Sequence, residues 1–334
     1  MRAFVVAAPG SATVEDVEPP AAVPGEVVVD VERVGICGTD HEFLTGDMAY
    51  LRSGHARYPM RIGHEWCGVV SAVGDGVDAT WLGQRVTGDT MLGCGACATC
   101  AAGRRYLCPN RLEIGIRGGR PGALAEQLAV PVTALHALPP TVGPTAGALV
   151  EPGGNSIRAA QAAGAAPGVS IAIWGPGTIG LLAALFARAA GAEVHVVGLT
   201  DESLAFARSL GLRGAADAPT ASFDAAIDAT NGASAPDEAL RALRPGGRLV
   251  CIGIAAEPSR IDTRDLVFGD TTVLGLLSGS PVLPAAIDNY ATGAVDPTPL
   301  VAATVGLDQV ADALAGERPD GAGPGPKVHV DPRL

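Results

Sequence analysis

The stretch VSIAIWGPGTIGLLAALFARAAGAEVHVVGL, residues 169–199, constrains the fold more than any other part of the chain. A short apolar run rich in β-branched residues precedes a glycine turn. An Ala/Leu-rich segment then continues to Gly191, and a second apolar run follows. Gly175, Gly177 and Gly180 form the G-x-G-x-x-G pattern between the first run and this segment. The pattern predicts a β-turn-α-β unit that holds the pyrophosphate of a dinucleotide at the helix N-terminus.

The segments that follow continue the alternation of strands and helices. FDAAIDAT (223–230) predicts a strand, PDEALRAL (236–243) a helix, and RPGGRLVCIGI (244–254) a turn followed by a strand. Such alternation is typical of a doubly wound parallel α/β sheet, which we expect over residues 152–281. The chain has 334 residues, which is long enough for a second domain.

The end of the second predicted strand indicates which dinucleotide is bound. Folds that prefer NAD usually place an acid there to bind the ribose 2′-hydroxyl. This chain has Gly198 at that place, and its first acids, Asp201 and Glu202, open the next predicted helix. The missing acid favours NADP. NAD stays the alternative, because no Arg or Lys adjoins Gly198 and Asp201 can turn back towards the ribose. The residues expected to contact the dinucleotide are Gly175, Gly177, Thr178, Ile179, Gly180, Gly198, Leu199, Thr200 and Thr230.

Four of the seven cysteines lie in one segment, GCGACATCAAGRRYLC. Disulfides are one interpretation, but cysteines this close in sequence pair poorly, and disulfides do not persist in a reducing compartment. Thiolates at two-residue spacings, with glycines between them, suit tetrahedral zinc. Four protein ligands leave no open position on the metal, so we predict a structural zinc. Its predicted ligands are Cys94, Cys97, Cys100 and Cys108.

Three other fragments contain donors for a second, open zinc site. VGICGTDHEF supplies the thiol of Cys37, and LVEPGGN supplies the carboxylate of Glu151. RIGHEWCGVV supplies both His64 and Glu65. A thiolate, an imidazole and one or two carboxylates leave room at zinc for water or substrate. Each fragment alone is weak evidence, because a single buried Cys or His more often belongs to a core.

Charge and composition narrow the range of partners. The formal net charge is −12, which argues against nucleic acid or an anionic membrane surface as a partner. The first residues, MRAFVVAAPG, lack the regions of a signal peptide, and no apolar run reaches the length of a membrane span. We therefore expect a cytoplasmic protein that acts on a small molecule.

The motifs GICGTD, GHE, the four-cysteine segment, EPGGN and GPGTIG follow one another along the chain. In this order they resemble the medium-chain, zinc-dependent alcohol dehydrogenase superfamily, and the resemblance covers essentially the whole chain. The polyol, threonine and sugar dehydrogenase branch is most similar, because it too has Glu directly after the zinc-binding His. CGTDHEFLTG is also similar to the start of microbial glucose dehydrogenases. The resemblance implies a GroES-like β-rich catalytic domain (1–151 and 282–334) and a Rossmann domain (152–281), with the active site between them.

The resemblance also implies roles for individual residues. Thr39 matches the hydroxyl that relays the substrate proton, and Asp40 matches the acid that orients the zinc-bound His. The branch often has a His two residues after this Asp, where this chain has Glu42, with His41 one place earlier. The sequence therefore leaves open which residues carry the proton onward from Thr39. The implied ligands of the catalytic zinc are Cys37, His64 and Glu65, with Glu151 binding or approaching the metal.

Together these features predict a zinc-dependent enzyme that transfers hydride between a nicotinamide and a secondary alcohol or ketone. A polyol, a sugar or an amino alcohol is the expected substrate, and two zinc ions per chain are expected. The resemblance further implies a homodimer or homotetramer, formed through a strand near TTVLGLLSG (271–279). One alternative is a reductase of a larger biosynthetic intermediate with the same mechanism. The alternative from another class is a non-catalytic NAD(P)-binding sensor, which predicts damage to the zinc ligands.

Overall fold

The structure is a computed structural model that describes residues 1–334. The chain divides into two units, Met1–Glu151 with Asp296–Leu334, and Pro152–Val295. The first unit is rich in β-strands, and the second has helices and strands in alternation around a parallel sheet. The expected α/β fold class is therefore confirmed.

Strands are numbered through both units in chain order. They are β1 (Arg2–Ala8), β2 (Ser11–Asp16), β3 (Glu26–Gly35), β4 (Met60–Arg61), β5 (Glu65–Val73), β6 (Arg85–Gly88), β7 (Met91–Leu92), β8 (Leu112–Glu113), β9 (Gln127–Pro131), β10 (Leu135–Ala137), β11 (Ser170–Trp174), β12 (Glu193–Val197), β13 (Arg213–Ala215), β14 (Phe223–Asp228), β15 (Leu243–Cys251), β16 (Thr272–Gly275), β17 (Val301–Val305) and β18 (Lys327–Val330).

The α-helices are numbered in the same way. They are α1 (Gly38–Thr45), α2 (Ala49–Arg52), α3 (Ala98–Ala101), α4 (Pro144–Ala148), α5 (Val150–Ala162), α6 (Thr178–Ala189), α7 (Asp201–Ser209), α8 (Ala235–Arg241), α9 (Thr263–Gly269), α10 (Leu283–Ala291) and α11 (Val310–Leu314). None of them combines the length and the apolar character that crossing a bilayer requires.

Strand β3 organises the first unit. It pairs with β5, β9 and β18, within a sheet whose order is β10-β6-β5-β3-β18-β17. Its sequence, EVVVDVERVG, buries Val27, Val29 and Val31 completely or almost so, and they join a core that also contains Trp66 and Leu124. Because β18 is the last strand of the chain and β3 begins at Glu26, this sheet joins segments far apart in sequence. A separate sheet, β2-β1-β4, holds the first residues.

The second unit is built on six parallel strands in the order β13-β12-β11-β14-β15-β16. Counted along the chain, this is the order of the doubly wound dinucleotide-binding fold. Strand β11 lies in the middle, and its Ile171 and Ile173 are fully buried. Helix α6 follows β11 and buries much of the Ala/Leu-rich segment, including Leu181 and Leu182.

The chain returns to the first unit later than the sequence indicated. The expected boundary was residue 282, but α10 belongs to the second unit, which extends to Val295. This helix packs on the start of α5, where the two glycines of EPGGN leave it room. A Cβ at Gly153 would lie 2.2 Å from Oη of Tyr290, and one at Gly154 would lie 2.5 Å from Cδ2 of Leu283. Glycines at these two places thus tie α10 to the second unit.

Buried His329 makes the stability of the first unit sensitive to acid. The side chain is fully buried on β18, and neither ring nitrogen has a hydrogen-bond partner in the protein. Burial, with help from the positive charges of Lys327 and Arg33, lowers the pKa of His329 to about 3, from an ordinary value of 6.5. Between these two pH values the unfolded chain binds a proton that the folded chain does not. Stability from this group is therefore lost as the pH falls below about 6.5.

Replacing His329 with leucine should weaken this acid sensitivity. At pH 5 the wild-type histidine costs about 2 kcal/mol of folding free energy relative to neutral pH, and the variant lacks that cost. Urea unfolding of both proteins at pH 8, 6.5 and 5 measures the difference. The two proteins should diverge only below pH 6.5. Parallel losses of stability in both would show that His329 is not the titrating group.

Candidate active site

The structure brings Cys37, His64 and Glu65 together, although two different segments supply them. Cys37 directly precedes α1, and His64 directly precedes β5. The antiparallel register of β3 and β5 sets Glu65 opposite Gly35, two residues before Cys37. One donor atom from each of the three residues lies within 4.8 Å of the others. A thiol, an imidazole and a carboxylate at this separation form a donor set that fits zinc.

Asp40 fixes the two segments that carry these donors. It is fully buried, and its carboxylate accepts hydrogen bonds from the backbone N–H of Cys37 and of Gly63, both at 3.0 Å. Its Oδ1 also lies 3.5 Å from Nδ1 of His64, a buried atom with no hydrogen-bond partner. Burial lowers the pKa of His64, but the charge of Asp40 and the thiol of Cys37 outweigh this and raise it well above its ordinary value. The site is thus built to favour positive charge.

A buried ion pair next to these donors was not predicted from the sequence. Lys327 is buried, and its Nζ lies 2.7 and 2.9 Å from the two carboxylate oxygens of Glu65 and 2.8 Å from the carbonyl oxygen of Ile36. Gly35 makes room for this arrangement, because a Cβ there would lie 2.1 Å from Oε2 of Glu65. A sequence signal existed: this is the chain's only lysine, in the apolar run KVHV.

The remaining predicted residues are not part of this donor group. Thr39 is half-buried in the first turn of α1. Glu151 lies in the first turn of α5 and is not among the donors that come within 4.8 Å of one another. Nδ1 of His41 lies 2.8 Å from the carbonyl oxygen of Leu314, which holds that ring to α11. Burial is the main cause that raises the pKa of Glu42.

The four-cysteine segment forms a second donor cluster. One sulfur from each cysteine lies within 4.8 Å of the others, and none of the four is in a disulfide. Sulfur–sulfur distances are 3.7 Å for Cys97 and Cys108 and 4.0 Å for Cys94 and Cys100. Four sulfurs placed tetrahedrally at zinc–sulfur bond length lie about 3.8 Å apart. The backbone N–H groups of Ala96 and Cys97 lower the pKa of Cys94 to about 6, which favours the thiolate that binds metal.

Replacing Cys97 with serine should remove the metal from this cluster. We expect one zinc fewer per chain and a loss of roughly 4 kcal/mol in the free energy of unfolding, since the loop loses its cross-link. Turnover per folded chain should be retained, because these cysteines lie outside the other donor group. Metal analysis and thermal unfolding measure both effects. Cys67→Ala is the matched control, since Cys67 is buried and outside both groups. Unchanged zinc content in the serine variant would contradict the assignment.

The predicted dinucleotide turn has the geometry that its glycines require. Gly175 follows β11 with φ of +95°, and Gly177 precedes the first residue of α6. A Cβ at Gly180 would lie 1.9 Å from the carbonyl oxygen of Gly175, so only glycine lets the helix start this close to the strand. The exposed N–H groups at the start of α6 can bind a pyrophosphate.

The other predicted dinucleotide contacts lie at the carboxyl ends of β12 and β14. Gly198 and Leu199 follow β12, and the side chain of Leu199 is almost completely exposed. Thr200 caps α7, where its Oγ1 accepts a hydrogen bond from the N–H of Ser203 at 3.3 Å. Thr230 follows β14 beside the glycine turn, since a Cβ at Gly175 would meet its Cγ2 at 3.0 Å. Strands β11 and β14 flank the point where the strand order reverses, which is where such sheets bind ligands.

Known protein families match both parts of the chain. Residues 23–140 match the alcohol dehydrogenase GroES-like domain, and residues 178–292 match the zinc-binding dehydrogenase family. An L-threonine 3-dehydrogenase from Idiomarina loihiensis is 34% identical over 277 residues, which cover 78% of this chain and 79% of that protein.

Solved structures match over nearly the whole chain. A zinc-binding dehydrogenase from Sinorhizobium meliloti 1021, bound to NADP, is 31% identical, with a TM-score of 0.90 and 99% of each chain covered. Galactitol-1-phosphate dehydrogenase from Escherichia coli is 26% identical, with a TM-score of 0.87, and the match covers 99% of this chain and all of that one.

The chain therefore belongs to the medium-chain, zinc-dependent alcohol dehydrogenase superfamily. It is a zinc-dependent oxidoreductase with a GroES-like domain and a Rossmann domain, and its redox partner is a nicotinamide dinucleotide.

Proposed function

We propose that this enzyme interconverts a secondary alcohol and a ketone on a small polyol, sugar or amino alcohol. The observation that carries the proposal is the convergence of Cys37, His64 and Glu65 in one domain, together with the glycine turn after β11 in the other. Relatives named for threonine and for galactitol 1-phosphate both have hydroxyl-bearing substrates of this kind. Residues 1–151 with the C-terminal segment would form the catalytic domain, and the unit that begins at residue 152 would bind the nucleotide.

Each residue of the catalytic group has a proposed task. Cys37, His64 and Glu65 would hold a zinc ion, with Glu151 as a further carboxylate ligand that binds or approaches it. When bound, zinc supplies a Lewis acid that makes a hydroxyl more acidic and a carbonyl more polarised. Asp40 holds the backbone of both ligand segments and faces the imidazole.

Thr39 is the residue we assign to proton transfer. It is two residues after Cys37 and lies in the first turn of α1. Its hydroxyl would accept the substrate proton and pass it on, while hydride moves to or from the nicotinamide. Cys94, Cys97, Cys100 and Cys108 would hold a second, structural zinc. Two zinc ions per chain are therefore expected in the purified enzyme.

We further propose NADP as the preferred coenzyme. The support is local: Gly198 takes the place of the acid that repels a 2′-phosphate, and the first acids, Asp201 and Glu202, lie in α7. A relative crystallised with NADP supports the same choice. Measuring kcat/KM for both coenzymes tests it. A value at least about tenfold higher with NADP is expected, worth ~1.4 kcal/mol of discrimination. A preference for NAD would overturn the assignment.

Association through β16 is the proposed mode of oligomerisation, as a homodimer or homotetramer. This strand lies at the edge of the second unit's sheet, and such edges readily pair with another chain. Large apolar side chains are exposed around it, on Val267, Phe268, Val273 and Leu277. Light scattering on the purified protein tests this, and a monomer would contradict it. We also place the enzyme in the cytoplasm, where reducing conditions keep the cysteine cluster available for metal.

One assay series tests the function as a whole. The zinc-loaded enzyme is given polyols, aldoses, amino alcohols and simple secondary alcohols with each coenzyme, and reduction is followed at the nicotinamide absorbance. Turnover of one class is expected. Turnover confined to larger ketones in the reverse direction would favour the biosynthetic reductase. Tight coenzyme binding without any turnover would favour the sensor.

A further inference from the structure

The first unit contains a cavity that shares no lining residue with either cysteine group. Its volume is about 510 Å³, and β1, β2, β4 and the segments around residues 57 and 119 line it. The lining is unusually basic for a chain with a formal net charge of −12. It includes one acid, Glu15, and four arginines: Arg57, Arg61, Arg117 and Arg120.

Arg61 is the residue that most needs a partner. Its guanidinium makes no hydrogen bond or ion pair within the protein, and its Nη1 is completely buried. Burial alone lowers the pKa of Arg61, and no carboxylate acts on it. An Arg side chain nevertheless stays charged at any physiological pH. A buried polar atom without a partner costs free energy, and native structures retain such a group mainly where another molecule satisfies it.

The other three arginines differ in how many polar contacts they already make within the protein. Arg57 is exposed and makes no polar contact within the protein. Arg120 pairs with Glu26 at 2.9 Å and donates to the carbonyl oxygen of Ala129 at 2.7 Å, but its buried Nε has no partner. Arg117 lies over the ring of Tyr50, 5.5 Å from the centroid. Two free guanidinium groups and one buried free N–H therefore line the cavity.

We propose that this cavity binds a small dianionic metabolite, with Arg57 and Arg61 as its principal ligands. Guanidinium groups bind phosphate and carboxylate through paired N–H donors, and two of them match a doubly charged group. A phosphate monoester fits best, because, apart from Glu15, the rest of the wall is mainly apolar, through residues such as Val5, Met60 and Ile116. The volume lies in the range of sites for small molecules. The anionic head would lie at the arginines, with its organic part against the apolar wall.

Thermal unfolding of the zinc-loaded enzyme without coenzyme tests the proposal. The probes are glycerol 3-phosphate, inorganic phosphate and succinate, each compared with sodium chloride at equal ionic strength. Glycerol 3-phosphate at about ten times its Kd should raise Tm by about 3 °C, and the rise should saturate. A larger response to succinate would identify a dicarboxylate as the ligand class. Equal effects of all salts would overturn the proposal.

Two variants separate binding from a merely structural effect. Arg61→Met removes a half-buried, unpaired charge, so Tm should rise in chloride buffer while the response to phosphate is lost. Arg57→Gln changes an exposed side chain, so it should fold normally and weaken binding about tenfold. Arg213→Met, an exposed arginine on β13, is the matched control and should respond like wild type. A full phosphate response in both Arg61→Met and Arg57→Gln would overturn the proposal, as would a change of oligomeric state in place of anion binding.

Discussion

Replacing Cys37 with alanine is expected to lower kcat/KM by about a thousandfold or more, while the protein stays folded. The donor group would keep His64 and Glu65 but lose its one thiolate. The Lewis-acid contribution of a catalytic zinc is several kcal/mol, and each ~1.4 kcal/mol corresponds to a factor of ten in rate. Cys37 is half-buried and does not belong to the hydrophobic core, so the free energy of unfolding should change little.

The measurement needs metal analysis beside kinetics. One zinc per chain should be lost, and the four-cysteine cluster should keep the other. Cys67→Ala serves as the control, since it removes a buried thiol that belongs to neither donor group. If the Cys37 variant kept more than a tenth of the wild-type kcat/KM, the proposed catalytic group would be wrong.

Replacing Lys327 with methionine is expected to cost about 3–5 kcal/mol of stability in the metal-free protein. The substitution leaves the buried carboxylate of Glu65 without its counter-charge, and an unpaired buried charge is far more costly than the pair is stabilising. Zinc should restore part of the loss, because a bound cation supplies the missing positive charge. The variant should therefore show a larger zinc-dependent rise in Tm than the wild type.

A double variant distinguishes charge from packing. Adding Glu65→Gln to Lys327→Met removes both charges, so most of the stability of the metal-free protein should return. Lys327→Arg is the conservative control, and it should keep much of the wild-type stability of the metal-free protein. Urea unfolding with and without zinc gives the four free energies of the cycle. Additive losses from the two single substitutions would mean that Glu65 and Lys327 do not act as a pair.

The parts of the site that were predictable are those encoded by short spacings. The four cysteines and the three glycines of the nucleotide turn lie within a few residues of one another, so the local sequence largely determines their geometry. Cys37, His64 and Glu65 are farther apart, and the order of motifs made them predictable through the resemblance. Lys327 was missed because it reaches Glu65 across 262 residues of sequence. No local pattern contains that contact, which depends on the pairing of β18 with β3.

The sequence did not indicate that the second unit extends to Val295, for a similar reason. Leu283–Ala291 is an amphipathic helix, and its sequence does not say which unit its apolar face meets. The glycines of EPGGN decide this, since Tyr290 and Leu283 fill the space above them. From the sequence, this motif indicated only the carboxylate of Glu151 as a possible metal ligand. The structure therefore assigns its glycines a packing role that the resemblance did not imply.

The sheet that joins β3 and β18 also bears on how the enzyme matures in the cell. Lys327, which neutralises Glu65, is synthesised 262 residues after it. Until β18 has been made and has paired with β3, the carboxylate of Glu65 lacks this counter-ion. Zinc bound before that pairing would supply the missing positive charge, and a chain without β18 would depend on the metal alone for it.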